Sequence, residues 1–80
     1  MIVHYTNRAL NDLESLPQDD RRRVVEALDR FAETGVGDVR ALAGRLKGRF
    51  RLRIGVWRVV FRVEDGVVVV RVLHRREAYR

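Results

Sequence analysis

Apolar residues recur through the first half of the chain at the three- and four-residue intervals typical of an α-helix. One series is Ala9, Leu10, Leu13 and Leu16, and a second is Val24, Leu28, Phe31 and Ala32. Thr6 or Asn7 can cap the first helix, and Pro17 separates it from the second. Gly35 and Gly37 are typical helix terminators. The pattern predicts two amphipathic helices that form an antiparallel hairpin and bury their apolar faces on another layer.

Apolar and basic residues alternate in the second half of the chain, as they do on β-strands with one buried face. The predicted strands are residues 49–54, 57–63 and 67–73, together with a short first strand at residues 2–5. Gly55-Val56 and Asp65-Gly66 are turn signals between the later strands. The expected fold is α+β, with an N-terminal strand, a helical hairpin and a three-stranded antiparallel meander. These strands form one sheet with the helices on one face, in a single domain spanning residues 1–80.

Strand parity divides the predicted meander into an apolar face and an arginine face. A two-residue turn at Asp65-Gly66 would pair Val63 with Val68, Phe61 with Val70, and Val59 with Val72. The other face then carries Arg49, Arg51, Arg53, Arg58, Arg62 and Arg71. One interpretation is a solvated face on which arginine stems cover Val60, Val69 and Leu73. Because like charges that face each other destabilise a sheet, an uncompensated cluster favours an anion-binding face.

The positive charge is concentrated in the same half of the chain. Residues 1–44 hold six arginines and eight acids, whereas residues 45–80 hold ten arginines and one lysine against three acids. This asymmetry indicates a polyanion or an acidic protein as partner. The absence of cysteine excludes disulfides and thiolate metal sites and fits a reducing cytoplasm. No signal peptide, membrane span or metal-ligand spacing is recognisable, so neither membrane association nor a metal or other cofactor is expected.

Residues 42–80 resemble the core of the RelE/ParE superfamily of bacterial and archaeal toxins. The segment runs from Leu-x-Gly through a basic-x-basic strand, an arginine after the turn, an Asp-Gly hairpin and a valine-rich strand to a basic cluster and a tyrosine. The predicted helices match the family in length and position. The resemblance implies a metal-independent endoribonuclease that enters the ribosomal A site and cuts mRNA. In this family the RNA's own 2′-hydroxyl attacks the adjacent phosphate, leaving a cyclic phosphate and a 5′-hydroxyl.

The resemblance also implies roles for individual residues. Its catalytic set here is Arg51 and Arg53 at the basic-x-basic positions, Arg58 as phosphate holder, Arg75 as general acid and Tyr79 stacked on an mRNA base. The nearby Arg49, Arg62, Arg71 and Arg76 are expected to bind RNA.

The resemblance does not identify which residue of this chain accepts the proton of the 2′-hydroxyl. Relatives often carry a lysine, the suspected general base, where this chain has Arg53, and arginine in a protein does not lose its proton. The remaining candidates are Tyr79 and His74, because histidine titrates near neutral pH. Parity also allows His74 to be a strand-end histidine that packs on Trp57.

Two other functions remain open on the same fold. One is a ParE-like toxin that inhibits DNA gyrase without cutting RNA, and the other is an inactive nucleic-acid-binding subunit that acts with a partner. The nuclease interpretation implies the ribosome and mRNA as partners. Either toxin implies a cognate antitoxin, RelB-like in the nuclease case, whose complex with the toxin would bind operator DNA.

Overall fold

The computed structural model describes residues 1–78, which fold as two α-helices on a five-stranded mixed sheet. The elements are β1 (Val3–Tyr5), α1 (Asn7–Glu14), α2 (Gln18–Thr34), β2 (Asp38–Ala41), β3 (Phe50–Ile54), β4 (Trp57–Val63) and β5 (Val67–His74). The sheet order is β1-β5-β4-β3-β2, with β1 parallel to β5 and the other neighbours antiparallel. The predicted α+β fold is confirmed, and β2 is an additional strand that the sequence pattern did not indicate. Neither helix in the described chain is both long enough and apolar enough to span a bilayer.

The hydrophobic core lies between the helices and one face of the sheet. Phe61 is its centre, and its ring lies 5.3 Å from that of Phe31 on α2 and 5.5 Å from that of Phe50 on β3. Leu13 and Leu28 present the apolar faces of the two helices to the same cluster. The opposite side of the sheet, which is turned away from α1 and α2, is called the outer face below.

The helix ends are fixed by side chains that the sequence places there. The Thr6 hydroxyl accepts a hydrogen bond from the backbone N–H of Ala9 and caps α1. Arg21 closes the other end of α1, since its Nε donates to the Leu13 carbonyl at 3.0 Å and its Nη2 to the Glu14 carbonyl at 3.4 Å. An arginine at the start of α2 therefore satisfies the free carbonyls of the preceding helix.

The predicted register of the β4–β5 hairpin is wrong near its turn. Val63 pairs with Val67 and Phe61 with Val69, while Val59 pairs with Val72 as predicted. The loop holds residues 64–66, and a register shift beside Phe61 restores the pairing. A one-residue shift moves every side chain of a strand to the other face. Val67 and Val69 are therefore buried in the core, where the parity argument had placed Val68 and Val70.

Gly66 explains why the loop takes this form. Its φ of +125° is a conformation that other residues rarely adopt, and a Cβ atom there would lie 2.5 Å from the Ile2 carbonyl oxygen. The N–H of Val67 donates to that same Ile2 carbonyl at 2.8 Å. The glycine thus allows the hairpin to approach the residues that lead into β1.

Replacing Gly66 with alanine should lower the free energy of unfolding by about 3 kcal/mol, because a strained φ is combined with a backbone clash. Gly44→Ala is the matched control, since Gly44 has a φ of +63° but a Cβ atom at that position would have no neighbour within 4 Å. Its cost should be about 1 kcal/mol. Urea denaturation measures both, and equal losses would contradict the role assigned to the close approach to Ile2.

Candidate functional site

The outer face brings arginines of neighbouring strands together. Arg53 on β3 lies directly opposite Arg58 on β4, and Arg51 lies opposite Val60. The two-residue turn at Gly55-Val56 that sets this register is present as predicted. Val60 is itself 9% exposed, because Arg51 and Arg71 occupy the positions on either side of it and their aliphatic stems flank it.

Arg58 is the buried cation of this face. Only 7% of its surface is exposed, and its Nη1 donates to the carbonyls of Gly55 at 2.7 Å and Trp57 at 3.0 Å. Its Nε is buried without a hydrogen-bond partner, and no carboxylate of residues 1–78 forms an ion pair with it. A desolvated charge that is held by carbonyl dipoles alone is costly, and a bound anion would lower that cost.

Arg51 and Arg53 lie beside Arg58 in different surroundings. Arg51 is mostly buried and its Nη2 lies 3.4 Å from the Asp38 carboxylate of β2. Arg53 is exposed and forms no ion pair with a carboxylate in the described part of the chain. The arrangement therefore offers one paired and one exposed guanidinium next to the buried charge of Arg58.

Arg49 and Arg62 lie toward the other end of the same two strands. Arg62 is four residues beyond Arg58 on β4, about 13 Å away along an extended strand. Its Nε pairs with the Glu64 carboxylate at 3.1 Å. Arg49 precedes β3, where its carbonyl accepts from the Leu42 N–H. Both positions suit contacts with a longer polyanion rather than with the phosphate nearest Arg58.

Arg71 is engaged by α1. Its Nε and Nη2 donate to the Asp12 carboxylate at 2.8 and 3.3 Å, and the same carboxylate accepts from the backbone N–H of Val72 at 2.9 Å. The hydrogen bond to Asp12 raises the pKa of Arg71 above its ordinary value. β1 pairs with β5 only at Val67–Val69, so Asp12 satisfies an N–H on the edge that β1 leaves open. Arg71 therefore helps to hold α1 on the sheet.

His74 lies on the helix side of the sheet, opposite the arginine face. It pairs with Trp57 across β4 and β5, and the two rings meet edge to face at 5.4 Å. The parity argument predicts this contact. His74 also lines a cavity of about 370 Å³ that is bounded by Asp12 from α1 and by Ser15, which follows that helix. The sheet thus lies between His74 and Arg58.

The C-terminal cations follow directly after β5. Arg75 and Arg76 are exposed, and the Arg75 N–H donates to the Val56 carbonyl at 2.7 Å. The Gly55-Val56 turn therefore fixes both the guanidinium of Arg58 and the backbone of Arg75. Tyr79, the predicted base-stacking residue, lies outside the described residues.

Comparisons with known proteins identify the family. A family model for the ParE toxin of type II toxin–antitoxin systems matches residues 3–79. Toxin RelG of Mycobacterium tuberculosis is 34% identical over 89 residues, covering 98% of this chain and 94% of that protein. This chain belongs to the RelE/ParE superfamily of type II toxins.

Solved structures agree with this assignment. A chain in the crystal structure of the toxin–antitoxin complex RelBE2 from Mycobacterium tuberculosis is 36% identical to this toxin, with a TM-score of 0.75. The match covers 91% of this chain and 95% of that one. YafQ from Escherichia coli has a TM-score of 0.79 over 99% of this chain and 98% of its own. Because YafQ is only 11% identical, that likeness concerns the fold alone.

Three residues at the toxin's arginine face were missed by sequence reasoning. Asp38 and Arg40 enter with β2, where Asp38 lies opposite Arg53 and Arg40 opposite Arg51. The only signal for them is the short alternation in residues 38–41, which is weak because a strand of four residues is hard to distinguish from a loop. Asp12 gives no local signal, since it is 59 residues away from Arg71. The arginine cluster is therefore partly compensated, contrary to the expectation from the meander alone.

Removing the Asp12 carboxylate should loosen α1 from β5. Asp12→Ala leaves the Val72 N–H and the Arg71 guanidinium without their acceptor, so the free energy of unfolding should fall by about 2 kcal/mol. Glu64→Ala is the control, because the ion pair of Glu64 with Arg62 is exposed and should change stability by less than about 0.5 kcal/mol. Thermal and urea denaturation measure both variants. A loss in Asp12→Ala no larger than in the control would show that the contact does not hold the helix.

Proposed function

We propose that this toxin is a ribosome-dependent mRNA endoribonuclease that acts in the cytoplasm without a metal ion. The 2′-hydroxyl of one nucleotide loses its proton and attacks the adjacent phosphorus, the bond from phosphorus to the 5′-oxygen breaks, and the departing 5′-oxygen takes up a proton. The products are a 2′,3′-cyclic phosphate and a 5′-hydroxyl. The observation that carries the proposal is the buried guanidinium of Arg58, which has no carboxylate partner among residues 1–78.

Negative charge builds up on the phosphoryl oxygens as this reaction approaches its transition state. A guanidinium that is already desolvated and held in place stabilises that charge with little reorganisation. Arg58 meets both conditions, because it is buried and because the Gly55 and Trp57 carbonyls fix its Nη1. Its remaining donors suit the fork geometry with which arginine binds phosphate.

We assign the other steps of binding and cleavage to the neighbouring cations and to Tyr79. Arg51 and Arg53 flank the phosphate, and Arg75 donates a hydrogen bond to the departing 5′-oxygen from the far side of the Gly55-Val56 turn. Tyr79 stacks on a base next to the cleaved bond. Arg49, Arg62 and Arg76 bind more distant phosphates of the mRNA. Arg71 adds to this field while it remains paired with Asp12.

The proposed partner that restrains the toxin is a RelB-like antitoxin. Relatives of known structure include RelB–RelE complexes from Methanococcus jannaschii and Pyrococcus horikoshii. An acidic segment of the antitoxin would neutralise the arginine face and would stabilise a small domain by binding its folded state. Operator DNA would be bound by this complex and not by the toxin alone.

Inhibition of DNA gyrase is the second candidate function. It is favoured by one specific observation, namely that the family model that matches residues 3–79 describes ParE toxins. The named relatives RelG and RelBE2 favour the nuclease, and so does the presence of all five proposed catalytic positions, Arg51, Arg53, Arg58, Arg75 and Tyr79.

Expression of the toxin alone separates the two candidates. The nuclease should stop growth and generate new 5′-hydroxyl ends within translated codons, which RNA-end sequencing detects. Intact mRNA with arrested DNA replication would instead assign the toxin to the gyrase inhibitors. A third result, namely no effect on either process, would indicate an inactive binding subunit.

Arg58→Met tests directly whether the buried guanidinium of Arg58 is needed for cleavage. Methionine fills a similar volume without a charge, so cleavage should fall by about two to three orders of magnitude while thermal stability is retained or increased. Arg22→Ala is the matched control, because Arg22 is an exposed arginine of α2 that forms an exposed ion pair with Asp19, at 3.3 Å. It should cleave like the wild type. An Arg58→Met protein that unfolds at a lower temperature would show that Arg58 has a structural role instead.

A further inference from the structure

The segment after β5 is organised by a single residue. Residues 75–78 form a turn in which all four backbone N–H groups donate hydrogen bonds. Arg75 donates to the Val56 carbonyl at 2.7 Å, Arg76 to Nδ1 of His74 at 3.2 Å, and Glu77 and Ala78 to the His74 carbonyl at 2.8 and 3.2 Å. Three of the four donors thus end on His74, one of them on its side chain.

The imidazole of His74 is held in a defined orientation. Its ring meets that of Trp57 edge to face, with an interplanar angle of 86°. The backbone N–H of Arg76 can only donate, so Nδ1 must be the acceptor and the proton of the neutral ring lies on Nε2. An acceptor that binds the N–H two residues ahead is the arrangement that asparagine and aspartate form in an Asx turn.

This arrangement is unsuited to proton abstraction from the RNA. The Nδ1 lone pair is occupied by the Arg76 N–H, and Nε2 already carries a proton. His74 also lies on the helix side of the sheet, whereas Arg58 lies on the outer face, since Arg58 pairs with Leu73 and Trp57 with His74.

We propose that His74 is a positioning residue that builds the turn carrying Arg75, and that it is not the general base. This inference rests on the proposed nuclease function for its effect on cleavage. The Val56 carbonyl adds a second contact, because it accepts the Arg75 N–H and so joins Arg75 to the same turn that holds Arg58. The backbone of Arg75 and the guanidinium of Arg58 are therefore held by hydrogen bonds to the same turn.

Two variants distinguish three roles of the His74 side chain: acceptor of the Arg76 N–H, packing partner of Trp57, and general base. His74→Asn keeps an acceptor for the Arg76 N–H but has no titratable group, so it should cleave within about threefold of the wild type, a change no larger than the net value of one hydrogen bond. His74→Phe keeps the ring against Trp57 but has no acceptor. Its cleavage should fall by about 10- to 100-fold, as expected when a reacting group is displaced by about 1 Å.

The other outcomes overturn the proposal. Loss of cleavage in both variants would indicate that the imidazole itself reacts, and full cleavage in both would show that His74 contributes nothing. Cleavage retained in His74→Phe and lost in His74→Asn would show that packing on Trp57 matters and the acceptor does not. Thermal denaturation of both variants verifies that each is folded.

The turn can also be examined without any RNA. In the free toxin, the Arg76 amide should exchange slowly with deuterium in the wild type and in His74→Asn, and at least tenfold faster in His74→Phe, because only the phenylalanine leaves it without a partner. A fast Arg76 amide in the wild type would contradict the inference directly. If this amide is protected but no mRNA is cleaved, the turn is verified and the proposed function fails, so the two failures are distinguishable.

Discussion

Two helices, α1 and α2, are the whole second layer of this fold within residues 1–78, and both pack on the same face of the sheet. The outer face receives no layer from that part of the chain, yet Val60 and Arg58 are buried there. Arginine stems provide the cover, since long charged side chains can shield apolar surface while their heads remain polar. In this short chain, arginine side chains therefore take the place of a second layer on the outer face. The positive charge of that face is a consequence of how the sheet is covered.

Placing several arginines on one face costs electrostatic free energy, and carboxylates offset this cost for some of the arginines but not for others. This difference separates structural from functional arginines. Arg51, Arg62 and Arg71 each have a carboxylate within reach, from Asp38, Glu64 and Asp12 respectively. Arg53, Arg58 and Arg75 form no ion pair within residues 1–78, and all three belong to the end of the sheet at the Gly55-Val56 turn. Like charges that meet without compensation are expected where a protein binds an anion, because there the partner supplies the missing charge.

The sequence predicts those parts of the structure that depend on neighbours along the chain. The helices, the Gly55-Val56 turn, the arginine pair Arg53–Arg58 and the contact of His74 with Trp57 all follow from local periodicity. The β4–β5 register does not, because four successive valines at 67–70 are equally suited to either face. The three-residue loop brings Gly66 close to Ile2, a contact distant in sequence that the local pattern does not reveal. The contact of Asp12 with Arg71 is also distant in sequence, so the local pattern does not predict it either.

A site made of arginines has a chemical limit that bears on where the toxin would act. Guanidinium groups stabilise a phosphorane-like charge, but they cannot accept the proton of the attacking 2′-hydroxyl. With His74 committed to the turn that carries Arg75, the carboxylates of the described arginine face are Asp38 and Glu64, which pair with Arg51 and Arg62 and not with Arg58. Under the proposed reaction, the acceptor is then Tyr79 or a group that the ribosome supplies beside the bound mRNA. If the ribosome supplies it, free mRNA lacks a complete site, so a requirement for the ribosome would follow from the chemistry of the face itself.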